Sequence, residues 1–309
     1  MNESGALSAS KSLEGPGRSL WGDAVVRLRR NRLAVVCFFV IAAYVVVAVL
    51  SGAGVLAADY DEPTYKTEPG GRKRLDSYSP PSSEHLLGTD IQGRDVLSRV
   101  VQGSWISLRV ALIMSMIYIA VAVALGALAG YFGGWVDDLI QWLYQTVASV
   151  PGLLLLIALT FALGKGLTNV AIALGAVGWV GLCRLMRAEY IKHKGRQYVL
   201  AARAQGAGDL RIMFRHILPN TFHIVIISFS LGFVNAIMGE VVLTFVGLGA
   251  QAHEPSWGRM ITEARAELAR DPAVWWPLAG ATCAMFVVCL AFNIFGDALR
   301  DALDPKLKE

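Results

Sequence analysis

The sequence predicts an all-α integral membrane protein with six transmembrane helices and a short helical elbow between two of them. Three observations carry that expectation. The 309 residues are 55% hydrophobic and only 17% charged, whereas a soluble domain carries about 25% charge. Apolar runs near the roughly 20 residues that a bilayer-spanning helix requires recur along the chain. Basic residues gather beside some of these runs and not others, which is how orientation in a membrane is encoded.

Taken in order, the chain divides as follows. Residues 1–32 are polar and end in the basic stretch RLRRNR, predicting a cytoplasmic tail that is loose over residues 1–21. The first span covers 33–56; it is too long for a signal-peptide core, so no cleavable leader is expected. Residues 57–107 are polar with nearly balanced charge and are expected outside. A core of five further helices fills 108–298, with spans at 108–130, 139–163, 169–182, 222–246 and 277–298. Residues 299–309 form a tail on the inner side. The segment 183–220 holds eight Lys or Arg against two acids and is therefore expected to be cytoplasmic.

Small residues mark close helix approaches. Gly126 and Gly130 form a GxxxG, and Gly175, Gly178 and Gly181 recur in the fourth span. In lipid such residues let backbones touch, and packing within the chain is the favoured reading over a dimer contact. Pro151 beside Gly152 predicts a kink in the third span. Cys37, Cys183, Cys283 and Cys289 lie in or beside apolar runs without a CxxC pair, so they read as small hydrophobes.

The stretch AARAQGAGDLRIMFRHILPN interrupts this apolar pattern. A helix is expected from Tyr190 to Gln205, a break at Gly206–Gly208, and a second helix capped by Asp209 and closed by Pro219. Leu210, Met213, Phe214 and Ile217 recur at i, i+3, i+4, i+7 and predict one apolar face. Such an elbow is either an interfacial helix lying on lipid or a docking element with small residues at its tip. On the other side of the membrane, Thr89, Asp90 and Gln92 offer a capping box for a helix starting near Ile91. Leu97, Val100 and Val101 supply its apolar side, and Asp95 pairs with Arg94 or Arg99, or the charges are simply solvated.

In these residues the chain resembles the permease subunits of binding-protein-dependent ABC importers, in the dipeptide/oligopeptide family, and specifically the C-type subunit. The cytoplasmic signature of that family is E-A-A, three residues, G, nine residues, I-x-L-P. Here it is matched by Leu200-Ala201-Ala202, three residues, Gly206, nine residues, and His216-Ile217-Leu218-Pro219. Leu200 replaces Glu, and His216 replaces Ile. HLLGTDIQGRDVLSRVVQGSWISL at 85–108 and EVVLTFVGLGAQAHEPSWGRMI at 240–261 are similar to the same branch. The resemblance implies the type I importer permease fold, with the elbow as a coupling helix and Ala201, Ala202, Arg203, Gly206, Leu218 and Pro219 as the ATPase-coupling residues. It also implies a set of partners: a homologous B-type permease subunit, two ATPase subunits, an extracytoplasmic solute-binding protein, a peptide substrate and membrane lipid. The location implied is a bacterial or archaeal cytoplasmic membrane with both termini inside.

The sequence contains no GxxxxGK[ST] phosphate loop, no HExxH and no clustered His/Cys set. No catalytic residue, cofactor, metal site or nucleic-acid partner is therefore expected. Glu240 falls near the outer end of the fifth span, where a charge is expensive. It is a candidate for the translocation path or for a subunit contact, with snorkelling as the plainer alternative. The other spans are nearly free of charge, which argues against an ion-driven secondary carrier. An importer of nickel or another small solute on the same fold stays open beside the peptide reading.

Overall fold

The computed structural model describes residues 20–69, 71–251 and 253–303. Most of the predicted tail at 1–21 and the end of the chain past 303 lie outside the described residues. Within them the protein is a helical bundle, with a two-stranded antiparallel hairpin, β1 (Tyr65–Thr67) and β2 (Lys73–Leu75), as its sheet.

Helix α1 (Leu20–Arg30) precedes the first span, α2 (Arg32–Gly52), and the Asn31 side chain caps α2 by accepting from the Ala34 amide at 3.2 Å. α1 was not anticipated, although apolar Leu20, Trp21, Ala24, Val25 and Leu28 recur at helical spacing and could have revealed it. The bundle is organised on α3 (Val96–Phe132), which packs against α2, α6 (Leu167–Gly178), α7 (Val180–Lys194) and α10 (Leu218–Phe245). At 37 residues α3 is about 55 Å long, well beyond the ~30 Å hydrocarbon core. It therefore begins twelve residues before the span expected at 108.

Glycines set its neighbours' approach. A Cβ at Gly126 would sit 2.7 Å from the Cys183 carbonyl oxygen, and one at Gly130 would sit 2.6 Å from the Tyr190 Cβ. At Gly175 it would sit 2.7 Å from the Ile117 Cβ. These three positions seat α3 against α7 and α6, so they pack within the chain. Gly181 faces open space.

The stretch expected as the third span, with a kink, is two separate helices. α4 (Gly134–Ser149) and α5 (Gly152–Leu163) meet at 93°. Pro151 has no amide to donate and forces the preceding residue out of helical geometry; Val150 accordingly lies at φ −91°, ψ 133°. Among the described residues, five helices are long and apolar enough to cross a membrane, and the bent pair makes six if it counts as one span. α6 and α7 together form one of the five, running to Lys194 and so extending past the predicted end at 182. The last is α12 (Trp276–Leu303), whose Phe292 stacks on Phe233 of α10 at 4.4 Å.

Candidate functional site: the two ends of α10

The elbow differs from its expected form. α7 runs to Lys194, and a separate short helix, α8 (Gln197–Ala204), follows. Gly206 is the left-handed residue that ends α8, with φ +82°. Its amide donates to the Arg203 carbonyl and the Ala207 amide donates to the Ala202 carbonyl, both at 3.0 Å. This pair of bonds closes the helix in a Schellman motif. Within the break expected at Gly206–Gly208, the left-handed corner is Gly206, and Gly208 is extended at φ −70°, ψ 159°.

Beyond the corner there is no second short helix. α9 (Asp209–Arg211) leads into a π-helical segment, Ile212–Ile217, which continues without interruption into α10. Pro219 therefore does not close a helix; it sits at the start of α10, just after the widened turn. The reason is geometric: proline lacks an N–H and crowds the carbonyl four residues back, and a π-turn relieves both. The Leu218 amide donates to Met213, five residues earlier.

The π-turn also changes the faces. Ile212, Met213 and Ile217 are buried, while Leu210 is 65% and Phe214 52% exposed. The single apolar face expected from Leu210, Met213, Phe214 and Ile217 is thus split between the interior and the surface. Residues Ile212–Ile217 turn more slowly than the 3.6-residue period of an α-helix. Asp209 is likewise not a cap; its carboxylate accepts from the Tyr131 hydroxyl at 2.6 Å. That hydroxyl also accepts from Arg203 at 3.0 Å, which holds the Arg203 guanidinium above its ordinary pKa. Tyr190 donates to the Met213 carbonyl at 3.1 Å, and Arg187 binds Asp137 through two bonds of 2.5 and 2.6 Å. The Tyr131 and Tyr190 contacts fasten the elbow to the ends of α3 and α7, and the Arg187–Asp137 pair ties α7 to α4.

Of the residues singled out in the sequence, Ala201, Arg203 and Gly206 are exposed together at the tip, and Ala202 is buried beneath them. Leu218 and Pro219 lie apart, beyond the π-turn at the start of α10. Sequence reasoning missed what surrounds the tip. Leu200, which stands where the family signature has Glu, is 50% exposed, so it adds a third exposed apolar side chain to Leu210 and Phe214. A recess of about 420 Å³ is lined by Ala202, Gln205, Ala207, Arg211, Arg215 and His216. Exposed apolar side chains and a recess lined by two arginines suit a protein surface carrying apolar pockets and acidic side chains.

The far end of α10 is built differently. Here α3 begins at Val96, not near Ile91, and Asp95 caps it by accepting from the Ser98 amide at 2.8 Å. Asp90 does not cap a helix because it accepts locally from the Gln92 and Arg94 amides at 2.8 and 3.0 Å, across a turn in which Gly93 has φ +70°. Its carboxylate also binds the Arg94 and Arg99 side chains. Arg94 reaches Asp61 at 2.9 Å, and Arg99 reaches Glu263 of α11 (Trp257–Ala264) at 3.4 Å. Neither arginine is solvated or paired with Asp95, which instead binds His85 at 2.8 Å. Just after β2, Asp76 is buried, which raises its carboxyl pKa, but its bonds to Lys66 at 2.8 Å and to Ser79 win and hold it below its usual range.

Glu240 is fully buried within the chain. Its Oε1 accepts from the Thr244 hydroxyl at 2.8 Å and from the Ser256 hydroxyl at 2.7 Å. Trp257, also fully buried, donates its amide to Ser107 at 3.3 Å and its indole N–H to the Val100 carbonyl at 3.1 Å.

Two family models match this chain. One, described as the binding-protein-dependent transport system inner membrane component, covers residues 122–309, more than half of the chain. The other, described as the N-terminal TM domain of oligopeptide transport permease C, covers residues 19–81. A dipeptide transport system permease protein of Alkalihalophilus pseudofirmus is 37% identical over 290 residues, 94% of this chain and 91% of the relative. An oligopeptide transport system permease protein of Bacillus subtilis is 33% identical over 291 residues, 94% and 91% of the two chains. A glutathione transport system permease protein of Pectobacterium atrosepticum is 40% identical over 228 residues, 74% and 75% of the two chains. The chain belongs to the binding-protein-dependent transport system inner membrane component family.

Proposed function

We propose that this inner-membrane permease subunit forms half of the translocation pore of an ATP-driven importer of di- and oligopeptides. Its partners are a homologous B-type permease, two ATPase subunits and a solute-binding protein on the outer face. The elbow, with Ala201, Arg203 and Gly206 at its tip, Ala202 beneath them and Leu218 and Pro219 behind, is the ATPase-coupling element. Relatives named for dipeptide, oligopeptide and glutathione transport favour a peptide cargo over nickel. ATP hydrolysis belongs to the separate subunits. Both termini and residues 183–220 face the cytoplasm, and residues 57–107 face outward.

One observation carries the coupling role. The elbow is not hinged to the fifth span by a loop; from Asp209 to Phe245 the chain is one continuous 37-residue helical element. A push on the exposed Leu210 and Phe214 is therefore delivered to α10 with little loss, whereas a helix merely resting on lipid needs no such continuity. The experiment is reconstitution in liposomes with the three kinds of partner. Peptide uptake and ATP hydrolysis are expected only from the full set, and a cysteine at Gly208 should resist an impermeant maleimide added outside intact cells. Ion-gradient-driven uptake by this chain alone, or outside labelling at position 208, would overturn the reading.

A further inference from the structure

Glu240 is a carboxylate removed from water in the interior of a membrane bundle, where an apolar residue of the same volume is usually at least as stabilising. What it organises is visible in its hydrogen bonds. Thr244 and Ser256 both donate their hydroxyl protons to its Oε1. With their protons so directed, both hydroxyl oxygens are left as acceptors. Thr244 Oγ1 accepts from the Ala250 amide and Ser256 Oγ accepts from the Arg259 amide, each at 3.1 Å. One carboxylate oxygen thus fixes the polarity of two hydroxyls, and these fix the chain after α10 and the first turn of α11.

The surroundings are shaped to admit this arrangement. A Cβ at Gly258 would lie 3.0 Å from both carboxylate oxygens and 2.9 Å from the Val241 Cα. The Oε2 atom makes no hydrogen bond among the described residues. The start of α11 that Glu240 holds is also wedged deep into the bundle. Trp257 meets Tyr44 of α2 edge-on at 6.2 Å, and Gly103 of α3 leaves room for Pro255 and Trp257. This corner therefore touches α2, α3 and α10 at once.

We infer that Glu240 is the positioning residue through which α10 moves the outer corner, Ala250 and the start of α11, as the pore changes state. The inference rests on the coupling role proposed for the elbow. α10 receives the ATPase's movement at its π-helical end, and Glu240 transmits that movement at its other end. The acting group is the acceptor oxygen, which orients both hydroxyls, and not the negative charge. A purely structural carboxylate would stabilise the corner equally in every state and transmit nothing.

The test uses the full complex in nanodiscs, with the four native cysteines replaced and one cysteine placed at the exposed Gln251. Its rate of reaction with an impermeant maleimide is compared with and without ATP plus vanadate, alongside peptide uptake per ATP hydrolysed in liposomes. The unsubstituted protein should show a labelling change of about threefold or more between states. Glu240→Leu, similar in volume, should assemble, lose that change, and hydrolyse several times more ATP per peptide. Glu240→Gln, which keeps the acceptor, should stay within twofold of the unsubstituted protein in both readouts. Ser256→Ala removes one of the two hydroxyls and carries the test if Glu240→Leu fails to assemble; it too should lose the state-dependent change. Assembled Glu240→Leu or Ser256→Ala complexes with normal labelling changes and coupling would overturn the inference, as would Glu240→Gln behaving like Glu240→Leu. If the unsubstituted complex shows neither ATP-dependent labelling nor uptake, the transport reading itself fails and takes this inference with it.

Discussion

The two ends of α10 solve opposite problems. At the far end, the chain completes itself: Trp257 and Glu240 are fully buried, and Arg94 and Arg99 find carboxylates within the chain. At the elbow end, Leu200, Leu210 and Phe214 stand exposed, and nothing lies within 4 Å of a Cβ built at Gly206 or Gly208. Both ends are ordered by named hydrogen bonds, so the difference is not one of rigidity. The corner around Glu240 and Trp257 is finished by the chain's own side chains, and the elbow presents an ordered surface whose apolar side chains are left uncovered. A substitution should therefore register in folding at the first and in partner binding at the second.

The largest effect that sharpens this contrast comes from a matched pair of glycines. A Cβ at Gly103 would meet the Pro255 carbonyl oxygen at 2.7 Å and Trp257 at 2.9 Å. Gly103→Val should cost at least the ~1–3 kcal/mol typical of overpacking, seen as a lower thermal midpoint of the purified chain in detergent. Gly208→Val meets open space at an extended backbone that a β-branched residue accepts. Its midpoint should change by no more than the ~0.5 kcal/mol typical of surface positions, while co-purification of the ATPases falls. Equal destabilisation by both would break the comparison.

A smaller effect separates conformation from contact at the corner itself. Gly206 lies at φ +82°, so Gly206→Ala should cost about 1 kcal/mol through the backbone alone. Asparagine tolerates the left-handed region better, yet adds more bulk to the surface. If the corner docks a partner, Gly206→Asn should fold better than Gly206→Ala but hold the ATPases less well. If it only turns the chain, the order of ATPase retention should follow the order of stability.

The elements that the sequence revealed and those it hid differ for physical reasons. Apolar runs announced each of the five helices long and apolar enough to cross a membrane among the described residues, because lipid demands length and composition whatever the partners are. Pro151 marked the broken span, although a kink and a 93° bend look alike until the packing on either side is known. The elbow's apolar residues were legible but their faces were not, since a π-turn leaves no sign in a window read at 3.6 residues per turn. Pro219 was read as a stop for the same reason. Glu240 stood out as a charge in an apolar run, but its partner Ser256 lies sixteen residues away and only folding brings them together. Asp90 was mistaken for a cap because Arg99 and Glu263, which give its site its meaning, come from a later turn and a distant helix.

The smallest expected effect tests whether the elbow's attachment depends on its exposed charge or on the hydroxyl beneath it. Arg203 is exposed and reaches Tyr131 from the surface, its guanidinium 5.9 Å from the ring centre. The Tyr131 hydroxyl is the hub, because it also donates to Asp209 at the start of α9. Removing the hub by Tyr131→Phe leaves the Asp209 carboxylate without that donor and should cost about 0.5–1.5 kcal/mol, the net worth of an ordinary hydrogen bond. Arg203→Ala keeps the Tyr131–Asp209 bond and removes only a solvent-screened partner, so the thermal midpoint should not move measurably. The ATPase side should reverse the ranking. Arg203 stands at the tip where a partner's acidic groups would meet it, so Arg203→Ala should make co-purification more sensitive to salt, whereas Tyr131→Phe should leave that salt dependence unchanged. An Arg203→Ala protein that loses stability as Tyr131→Phe does, with unchanged salt sensitivity of ATPase binding, would show that the guanidinium belongs to the fold and that the elbow's tip is more nearly finished than its exposure suggests.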